Sequence, residues 1–131
     1  MPASGAHAGS ARSARGRVAH LSGALAEDTV ARHLQGRGFA IIARRWRGAA
    51  GEVDLICRDG ECVVFVEVKQ AASLSQAAWR LGRRQMDRLC AAACEYCGSL
   101  PSGLATEMRF DVALVDGSGR VDLVCNAFAE A

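Results

Sequence analysis

Residues 51–69 read GEVDLICRDGECVVFVEVK, two runs of alternating apolar and polar residues around a turn signal. Alternation with a period of two is typical of β-strands whose two faces differ. The Asp59-Gly60 pair between the runs is a strong signal for a two-residue hairpin loop. The stretch therefore predicts two antiparallel strands joined by a tight turn at Asp59 and Gly60.

The expected register of this hairpin gathers acidic side chains on one face. Asp54 is expected opposite Phe65, and Glu52 opposite Glu67. Residues two apart on a strand share a face, so Glu67 and Lys69 project together while the intervening valines point the other way. Three carboxylates and one ammonium group then share a patch, which solubility alone does not explain. A solvated edge strand that carries these charges by chance is the plainer alternative.

The chemistry of this patch suits a divalent metal ion. Carboxylates opposed on a sheet repel each other and require a compensating cation. Lys69, the one lysine among the 16 basic residues, supplies a single positive charge. Mg²⁺ supplies more, since it prefers one or two carboxylates together with waters and substrate phosphates. In phosphodiester hydrolysis such an ion lowers the pKa of a water molecule and offsets phosphate charge, while a lysine orients the nucleophile.

The acids and the lysine also follow a known spacing. Asp54, twelve residues and then Glu67-Val68-Lys69 are similar to the D-(x)n-E-x-K signature of the PD-(D/E)xK, or restriction-endonuclease-like, nuclease superfamily. A wider pattern resembles the YraN-like family of small bacterial endonuclease-like proteins over roughly residues 20 to 126. Its parts are Glu27, Gly38-Phe39, Arg44-Arg45-Trp46-Arg47, residues 51–56, residues 64–69 and Arg109-Phe110-Asp111-Val112. The layout also resembles archaeal Holliday junction resolvases, in which a helix glutamate joins the strand acids.

The resemblance implies a fold, a set of site residues and a cofactor. The implied fold is an α/β restriction-endonuclease-like sandwich with a mixed β-sheet flanked by helices. Asp54 and Glu67 are expected to hold Mg²⁺ or Mn²⁺, and Lys69 to position or activate the attacking water. Glu27 and Glu52 are expected to assist at the ion or its waters.

The net charge of only +2 does not by itself indicate nucleic-acid binding. Local clusters of arginine are better evidence, and we expect them to contact DNA phosphates. A solvated cationic face is the alternative. The family pattern has a basic residue shortly after E-V-K and often a lysine at the start of the second long helix, but this chain has Gln70-Ala71-Ala72 and Arg84-Gln85 near those places. Both departures would weaken phosphate contacts. The candidate residues are Arg44, Arg45 and Arg47 on one strand, and Arg80, Arg83, Arg84, Gln85 and Arg88 near one helix start.

Periodicity predicts a single domain with the element order α-β-β-β-α-β-β. Asp111, on the first strand after the second helix, is expected to pair with a basic residue or to support the site without being a metal ligand. The expected elements are a helix over 21–36 with its apolar stripe on Leu21, Leu25, Val30 and Leu34, a strand over 39–46, the two hairpin strands, a helix over 76–96, and strands over 108–115 and 121–125.

The ends and the composition of the 131-residue chain set its expected organisation. Residues 1–19 are rich in Ala, Gly, Ser and Arg without an apolar segment, which predicts a disordered start before a domain over 20–131. Arg12, Arg15 and Arg17 would make this segment a flexible basic arm. The alternative is a disordered start whose arginines reflect only biased codon usage. No stretch approaches the ~18 apolar residues of a membrane helix, so we expect a soluble, cytoplasmic protein without a membrane partner.

Six cysteines without a secretory signal indicate a reducing compartment, in which thiols act as small apolar residues. Cys57 and Cys62 are expected to face each other beside the hairpin turn. The C-x3-C-x2-C spacing of Cys90, Cys94 and Cys97 resembles the cluster motif of radical SAM enzymes, so an iron–sulfur site is a rival hypothesis. An intact helix would separate Cys90 from Cys97 by ~10 Å, which argues against a cluster. We expect no iron–sulfur cluster and a buried stripe of Met86, Leu89, Cys90, Ala93, Cys94 and Cys97.

The leading functional hypothesis is a metal-dependent nuclease that acts on DNA, with branched or otherwise structured DNA as a candidate substrate. Cutting both strands of a duplex requires two sites, which a homodimer would supply. The alternative is a non-catalytic nucleic-acid-binding module on the same fold, and a scaffold that binds a partner is a third hypothesis. Fold analogy alone does not choose among them.

Overall fold

Two helices and five strands form an α/β fold in the residues that the computed structural model describes, 23–70 and 82–127. The predicted order α-β-β-β-α-β-β is confirmed. The predicted arm at 1–19, residues 20–22 and the first part of the predicted second helix, 76–81, lie outside the described residues. The elements are α1 (Gly23–Gly36), β1 (Ala40–Arg47), β2 (Glu52–Asp59), β3 (Cys62–Gln70), α2 (Arg83–Gly98), a 3₁₀ turn (Gly103–Ala105), β4 (Met108–Val115) and β5 (Val121–Val124).

The sheet is mixed and its strands lie in chain order, β1-β2-β3-β4-β5. Neighbouring strands pair antiparallel except β3 and β4, which pair parallel. A parallel pair needs a long crossover connection, and here the connection contains α2. The two helices pack on opposite faces, since α1 contributes to one core cluster and α2 to the other. No helix within residues 23–70 or 82–127 is long and apolar enough to cross a membrane.

Strand β3 is buried on both faces over residues 63–66. Val64 and Val66 pack in the core beneath α1, whereas Val63 and Phe65 pack in the core beneath α2. The expectation of one apolar and one charged face is therefore wrong for this half of the strand, because α2 covers the second face. The charged residues begin only at Glu67, which places the candidate site at the carboxyl end of the strand.

The hairpin between β2 and β3 forms as predicted, but its loop lies one residue further along the chain. Asp59 pairs with Cys62, so the two loop residues are Gly60 and Glu61. Gly60 has φ +63°, and glycine at the first loop position is the signature of a type II′ turn. An Asp-Gly loop would instead have put glycine second, as a type I′ turn prefers.

This shift changes which side chains of the hairpin are neighbours. Phe65 pairs with Ile56, so the expected pairing of Phe65 with Asp54 is wrong. Continuing the observed register by one residue beyond the pair Leu55 and Val66 places Asp54 beside Glu67, and the expected pairing of Glu52 with Glu67 is wrong for the same reason. The two carboxylates predicted to hold a metal ion therefore stand side by side on adjacent strands.

An irregularity in β1 and β2 interrupts the alternation next to these acids. Arg45 has φ +50°, a left-handed conformation uncommon for residues other than glycine, asparagine and aspartate. The register between the strands places Arg45 opposite Asp54. Val53 packs in the core beneath α2 and Leu55 in the core beneath α1, although strict alternation would put both on one face. The alternation of side chains between the two faces of the sheet is therefore interrupted at Asp54.

The predicted apolar stripe of α1 is confirmed at Val30 and Leu34 but not at Leu25. Its buried residues are Ala26, Val30, Ala31 and Leu34. Leu25 is 47% exposed, so its assignment to the stripe is wrong. Leu25 and Val30 are five residues apart, which is about 140° around a helix at 3.6 residues per turn. Leu21 lies outside the described residues.

The cysteines are more exposed than expected. Helix α2 is continuous through Cys90, Cys94 and Cys97, but Cys97 alone of these three is buried. Cys90 and Cys94 each follow a buried residue by one position, about 100° around the helix, and therefore face solvent. Cys57 pairs with Val64 rather than with Cys62, so that expected pairing is wrong.

A buried ion pair within β4 also bonds the segment that follows β5. Arg109 donates from Nε to Asp111 Oδ1 at 3.0 Å and from Nη2 to Asp111 Oδ2 at 3.0 Å. The backbone N–H of Asn126 donates to Asp111 Oδ1 at 3.0 Å. The Asp111 side chain is fully buried, so these donors replace its hydration. The prediction that Asp111 pairs with a basic residue is confirmed.

Candidate metal and nucleic-acid site

Asp54 and Glu67 form the centre of an acidic cluster at the carboxyl end of β3. Their carboxyl groups lie within hydrogen-bonding reach of each other. The paired residues of β2 and β3 extend only as far as Leu55 and Val66, and beyond them the backbone N–H of Val68 donates to Asp54 Oδ2 at 2.8 Å. The Asp54 carboxylate thus accepts a backbone N–H that a regular strand pair would donate to a backbone carbonyl. This hydrogen bond fixes the carboxylate beside Glu67.

Burial raises the pKa of both central acids, and the charge of Asp54 raises the pKa of Glu67 further. The pKa of Glu67 rises to about 7, first because burial disfavours its charged form and then because Asp54 repels a second negative charge; Lys69 opposes the shift. Burial also raises the pKa of Asp54, against the stabilising N–H of Val68. When the pair of carboxyl groups binds one proton, we assign that proton to Glu67, because Asp54 already accepts a backbone hydrogen bond as a carboxylate.

The raised pKa of Glu67 predicts a pH-dependent stability in the absence of metal. The folded state binds this proton more tightly than an unfolded chain does, so the stabilisation is full below about pH 4.5 and is lost as pH rises through about 7. At pH 8 the Glu67→Gln variant should therefore melt about 4 °C or more above wild type. Thermal unfolding at pH 5 and pH 8 in EDTA measures this difference.

Glu61→Gln is the matched control, because Glu61 is an exposed acid at the other end of the same hairpin. Its melting temperature should follow that of wild type at both pH values. If Glu67→Gln loses as much stability between pH 5 and pH 8 as wild type does, the pKa of Glu67 is not raised.

Gln85 on α2 connects the two functional residues of β3. Its Nε2 donates to Glu67 Oε2 at 2.6 Å, and Lys69 Nζ donates to its Oε1 at 3.4 Å. An amide side chain can do both because it carries a donor and an acceptor. The structure therefore places Gln85 within the acidic cluster, where it orients Lys69 and Glu67, and this contact was absent from the sequence-based assignment of Gln85 to DNA phosphates.

Glu27 and Glu52 lie close enough to Asp54 for their charges to act on it. Glu27, in the first half of α1, raises the pKa of Asp54 by charge repulsion, and Glu52 adds a smaller effect. Arg45 Nε donates to Glu27 Oε1 at 2.8 Å, and the Glu27 side chain is only 13% exposed. Four carboxylates from three elements thus share one region of the surface.

The arginines of β1 pair with carboxylates and do not form one continuous cationic face. Arg44 Nη1 lies 3.0 Å from Asp28 Oδ1, and Arg47 Nη2 lies 3.4 Å from Glu52 Oε2. Arg44 also holds the pKa of Asp28 below its usual value. Contacts from these residues to DNA phosphates would have to replace or share existing ion pairs.

Arg84 and Arg88 lie on the exposed side of α2 next to Gln85. They are four residues apart, so they are neighbours along the helix surface. A side chain added at Gly51 would come within 3.8 Å of Arg88 Cβ, so Arg88 borders the loop between β1 and β2. Arg84 therefore lies on the same turn of α2 as Gln85, and Arg88 lies beside the loop that leads to Glu52.

Glu95 is a site-supporting residue that sequence reasoning missed. Its carboxylate accepts the backbone N–H groups of Ala49 and Ala50 at 3.1 and 3.2 Å, which ties the loop between β1 and β2 to α2. The loop joins Arg47 to Glu52, so Glu95 helps to place both. A helical glutamate facing a Gly-Ala-Ala-Gly loop has no distinctive sequence signal, because the contact joins residues more than 40 positions apart.

The donor set suits a hard cation that retains water ligands. Among residues 23–70 and 82–127, no three or more His, Cys, Asp or Glu side chains are arranged as a metal-binding group. Mg²⁺ does not need such a group, because it commonly binds one or two carboxylates and completes its coordination with waters and phosphates. Asp54 and Glu67 are two adjacent, half-buried carboxylates whose mutual repulsion a divalent cation would relieve, so these residues fit Mg²⁺ or Mn²⁺.

The fold and this cluster define a class of protein, a small α/β protein with a five-stranded mixed sheet and an acidic site at the carboxyl end of its central strand. Within that class the chain belongs to Uncharacterised protein family UPF0102, whose family model matches residues 26–115. The resemblance to the YraN-like family predicted from sequence is thereby confirmed.

Relatives match almost the whole chain. A UPF0102 protein of Ruegeria pomeroyi is 54% identical over 118 residues, which cover 90% of this chain and 96% of the relative. A UPF0102 protein of Cereibacter sphaeroides is 54% identical over 114 residues, 87% of this chain and 97% of the relative. One from Roseobacter denitrificans is 45% identical over 120 residues, 92% of this chain and 93% of the relative. The matched region includes every element that contributes to the acidic cluster.

Proposed function

We propose that this chain is a metal-dependent nuclease that hydrolyses phosphodiester bonds of DNA, with a restriction-endonuclease-like arrangement of its site. The observation that carries the proposal is the placement of Asp54 beside Glu67, with Lys69 held next to them by Gln85. Two adjacent carboxylates whose pKa values are raised and a neighbouring ammonium group are the components that metal-assisted hydrolysis at a phosphate requires.

Each residue has a role that its contacts support. Asp54 and Glu67 would hold Mg²⁺ or Mn²⁺, whose chemistry is to polarise the phosphate and make a water molecule more acidic. Lys69 would orient the attacking water and offset the negative charge that develops on the phosphate. Gln85 keeps the ammonium group of Lys69 close to Glu67 in the free protein. Glu27 and Glu52 would accept hydrogen bonds from waters around the ion.

Charge also supports a role for metal in DNA binding at this site. Four carboxylates, those of Glu27, Glu52, Asp54 and Glu67, contact or adjoin three cations, those of Arg45, Arg47 and Lys69. When Glu67 is ionised, the carboxylates outnumber the cations by one, and this excess of negative charge repels a phosphate group. A divalent cation would reverse the excess, and exposed Arg84 and Arg88 at the rim could then contact the flanking phosphates.

A cleavage assay tests the proposal. Wild type and Asp54→Asn are incubated with duplex, single-stranded, flap and four-way-junction DNA in Mg²⁺, Mn²⁺ or EDTA. We expect wild type to cut at least one substrate with metal and none in EDTA, and Asp54→Asn to cut none. A preference for branched substrates would support action on structured DNA, and cutting of both duplex strands would support a homodimer. Equal cutting by Asp54→Asn would contradict the proposal.

A non-catalytic nucleic-acid-binding module on the same fold is the second candidate. Gln70 favours it, because this uncharged residue follows Lys69 where the resembled family carries a basic residue. This candidate predicts DNA binding that needs no divalent metal and is unchanged in Lys69→Ala. Gel-shift titrations in EDTA and in Ca²⁺ distinguish it from the nuclease, for which binding at the acidic cluster requires the cation.

A further inference from the structure

Arg45, on β1, places a positive charge beside the acidic cluster, on the other side of Asp54 from Glu67. Because the sheet order is β1-β2-β3, Asp54 on β2 has Arg45 on one side and Glu67 on the other. Arg45 bonds Glu27 through Nε at 2.8 Å. The electrostatic neighbours of its guanidinium group include Glu52 and Asp54 as well as Glu27. The positive charge of Arg45 thus interacts with three of the four carboxylates of the cluster.

The backbone at Arg45 is unusual in a way that fixes this position. A positive φ of 50° is costly for a residue with a Cβ and persists only where the surroundings hold it. The Nη2 atom of Arg45 lies 3.2 Å from the place where a Cβ on Gly23 would be, so the guanidinium group extends across the start of α1. Its neighbour Arg44 has an ordinary backbone conformation and pairs instead with Asp28 at 3.0 Å.

We propose that Arg45 is the internal counter-cation of the acidic cluster and that it competes with a divalent metal ion for these carboxylates. The inference rests on the proposed function, since it concerns the same metal site. A bound ion and the guanidinium group would both lie beside Asp54, and two cations at that distance repel each other. Metal binding then has to weaken the attraction between Arg45 and its acids, which lowers the affinity of the wild-type site.

Calorimetric titration of Mn²⁺ in the absence of DNA tests this competition. Arg45→Asn removes the charge and keeps a residue that tolerates positive φ, so it separates charge from backbone strain. We expect Arg45→Asn to bind Mn²⁺ about fivefold more tightly than wild type, which is the effect of removing one partly exposed charge interaction. Arg45→Lys retains the charge and should bind Mn²⁺ with an affinity close to that of wild type.

Arg44→Asn is the matched control, because it removes the adjacent positive charge, which contacts Asp28 outside the cluster. Its affinity for Mn²⁺ should stay within about twofold of wild type, given screening between exposed charges. If wild type binds Mn²⁺ and Arg45→Asn binds it equally or more weakly, the competition is wrong while the metal site stands. If neither protein binds Mn²⁺, the metal site itself is wrong and the competition falls with it.

Discussion

Replacing Lys69 by methionine is expected to lower the rate constant of DNA cleavage by about 10²- to 10³-fold while leaving the fold intact. Methionine retains most of the aliphatic side chain and removes the ammonium group that Gln85 holds at 3.4 Å. That group is the cation next to Glu67 that can offset charge on a phosphate, and the effect of one such group is typically of this size. Single-turnover cleavage of the preferred DNA substrate measures the rate constant.

Arg58→Met is the control for Lys69→Met, because Arg58 is an exposed cation on the same hairpin at the end away from the acids. Its rate constant should equal that of wild type within about twofold, because charges farther apart than a Debye length are screened. Both variants should melt within a few degrees of wild type, since neither side chain is fully buried. If Lys69→Met cuts as fast as Arg58→Met, Lys69 has no part in the reaction.

Replacing Arg109 by methionine is expected to lower the free energy of unfolding by about 3–5 kcal/mol. The substitution leaves the fully buried carboxylate of Asp111 without the guanidinium group that donates to both of its oxygens. An unpaired buried charge costs far more than an exposed one, because it has lost its hydration as well. Urea denaturation followed by circular dichroism measures the change.

Two further variants separate the buried charge from other effects of Arg109. Adding Asp111→Asn to Arg109→Met removes the stranded charge and keeps an acceptor for the Asn126 N–H, so it should restore a substantial part of the lost stability. Arg32→Met breaks an exposed pair with Asp28 and should cost less than about 1 kcal/mol. A loss at Arg109 no larger than the loss at Arg32 would contradict the account of this ion pair.

The acids of the site could be predicted because they depend on local pattern and spacing. The hairpin signal and the period of two already placed Asp54, Glu67 and Lys69 on one surface. The exact pairing could not be predicted, because the Asp-Gly pair is compatible with more than one loop. The observed loop at Gly60 and Glu61 puts Asp54 rather than Glu52 beside Glu67.

Features that depend on distant elements were missed. The valine-rich part of β3 was expected to have one charged face, but the crossover helix α2 buries that face as well. Gln85 was assigned to DNA phosphates because it lies near a helix start, and only the packing of α2 shows that it contacts Glu67. The left-handed conformation of Arg45 has no sequence signal, since arginine is not a residue that favours it.

The measurement that tests the central claim most directly is a titration of Mn²⁺ at pH 7 in two buffers of different ionisation enthalpy. With its pKa raised to about 7, Glu67 is partly protonated at this pH in the free protein, so binding of one ion should release a fraction of a proton. The account predicts this release for wild type and no binding by the double variant Asp54→Asn, Glu67→Gln. Equal Mn²⁺ affinity in the double variant would show that the ion binds elsewhere and would contradict the account.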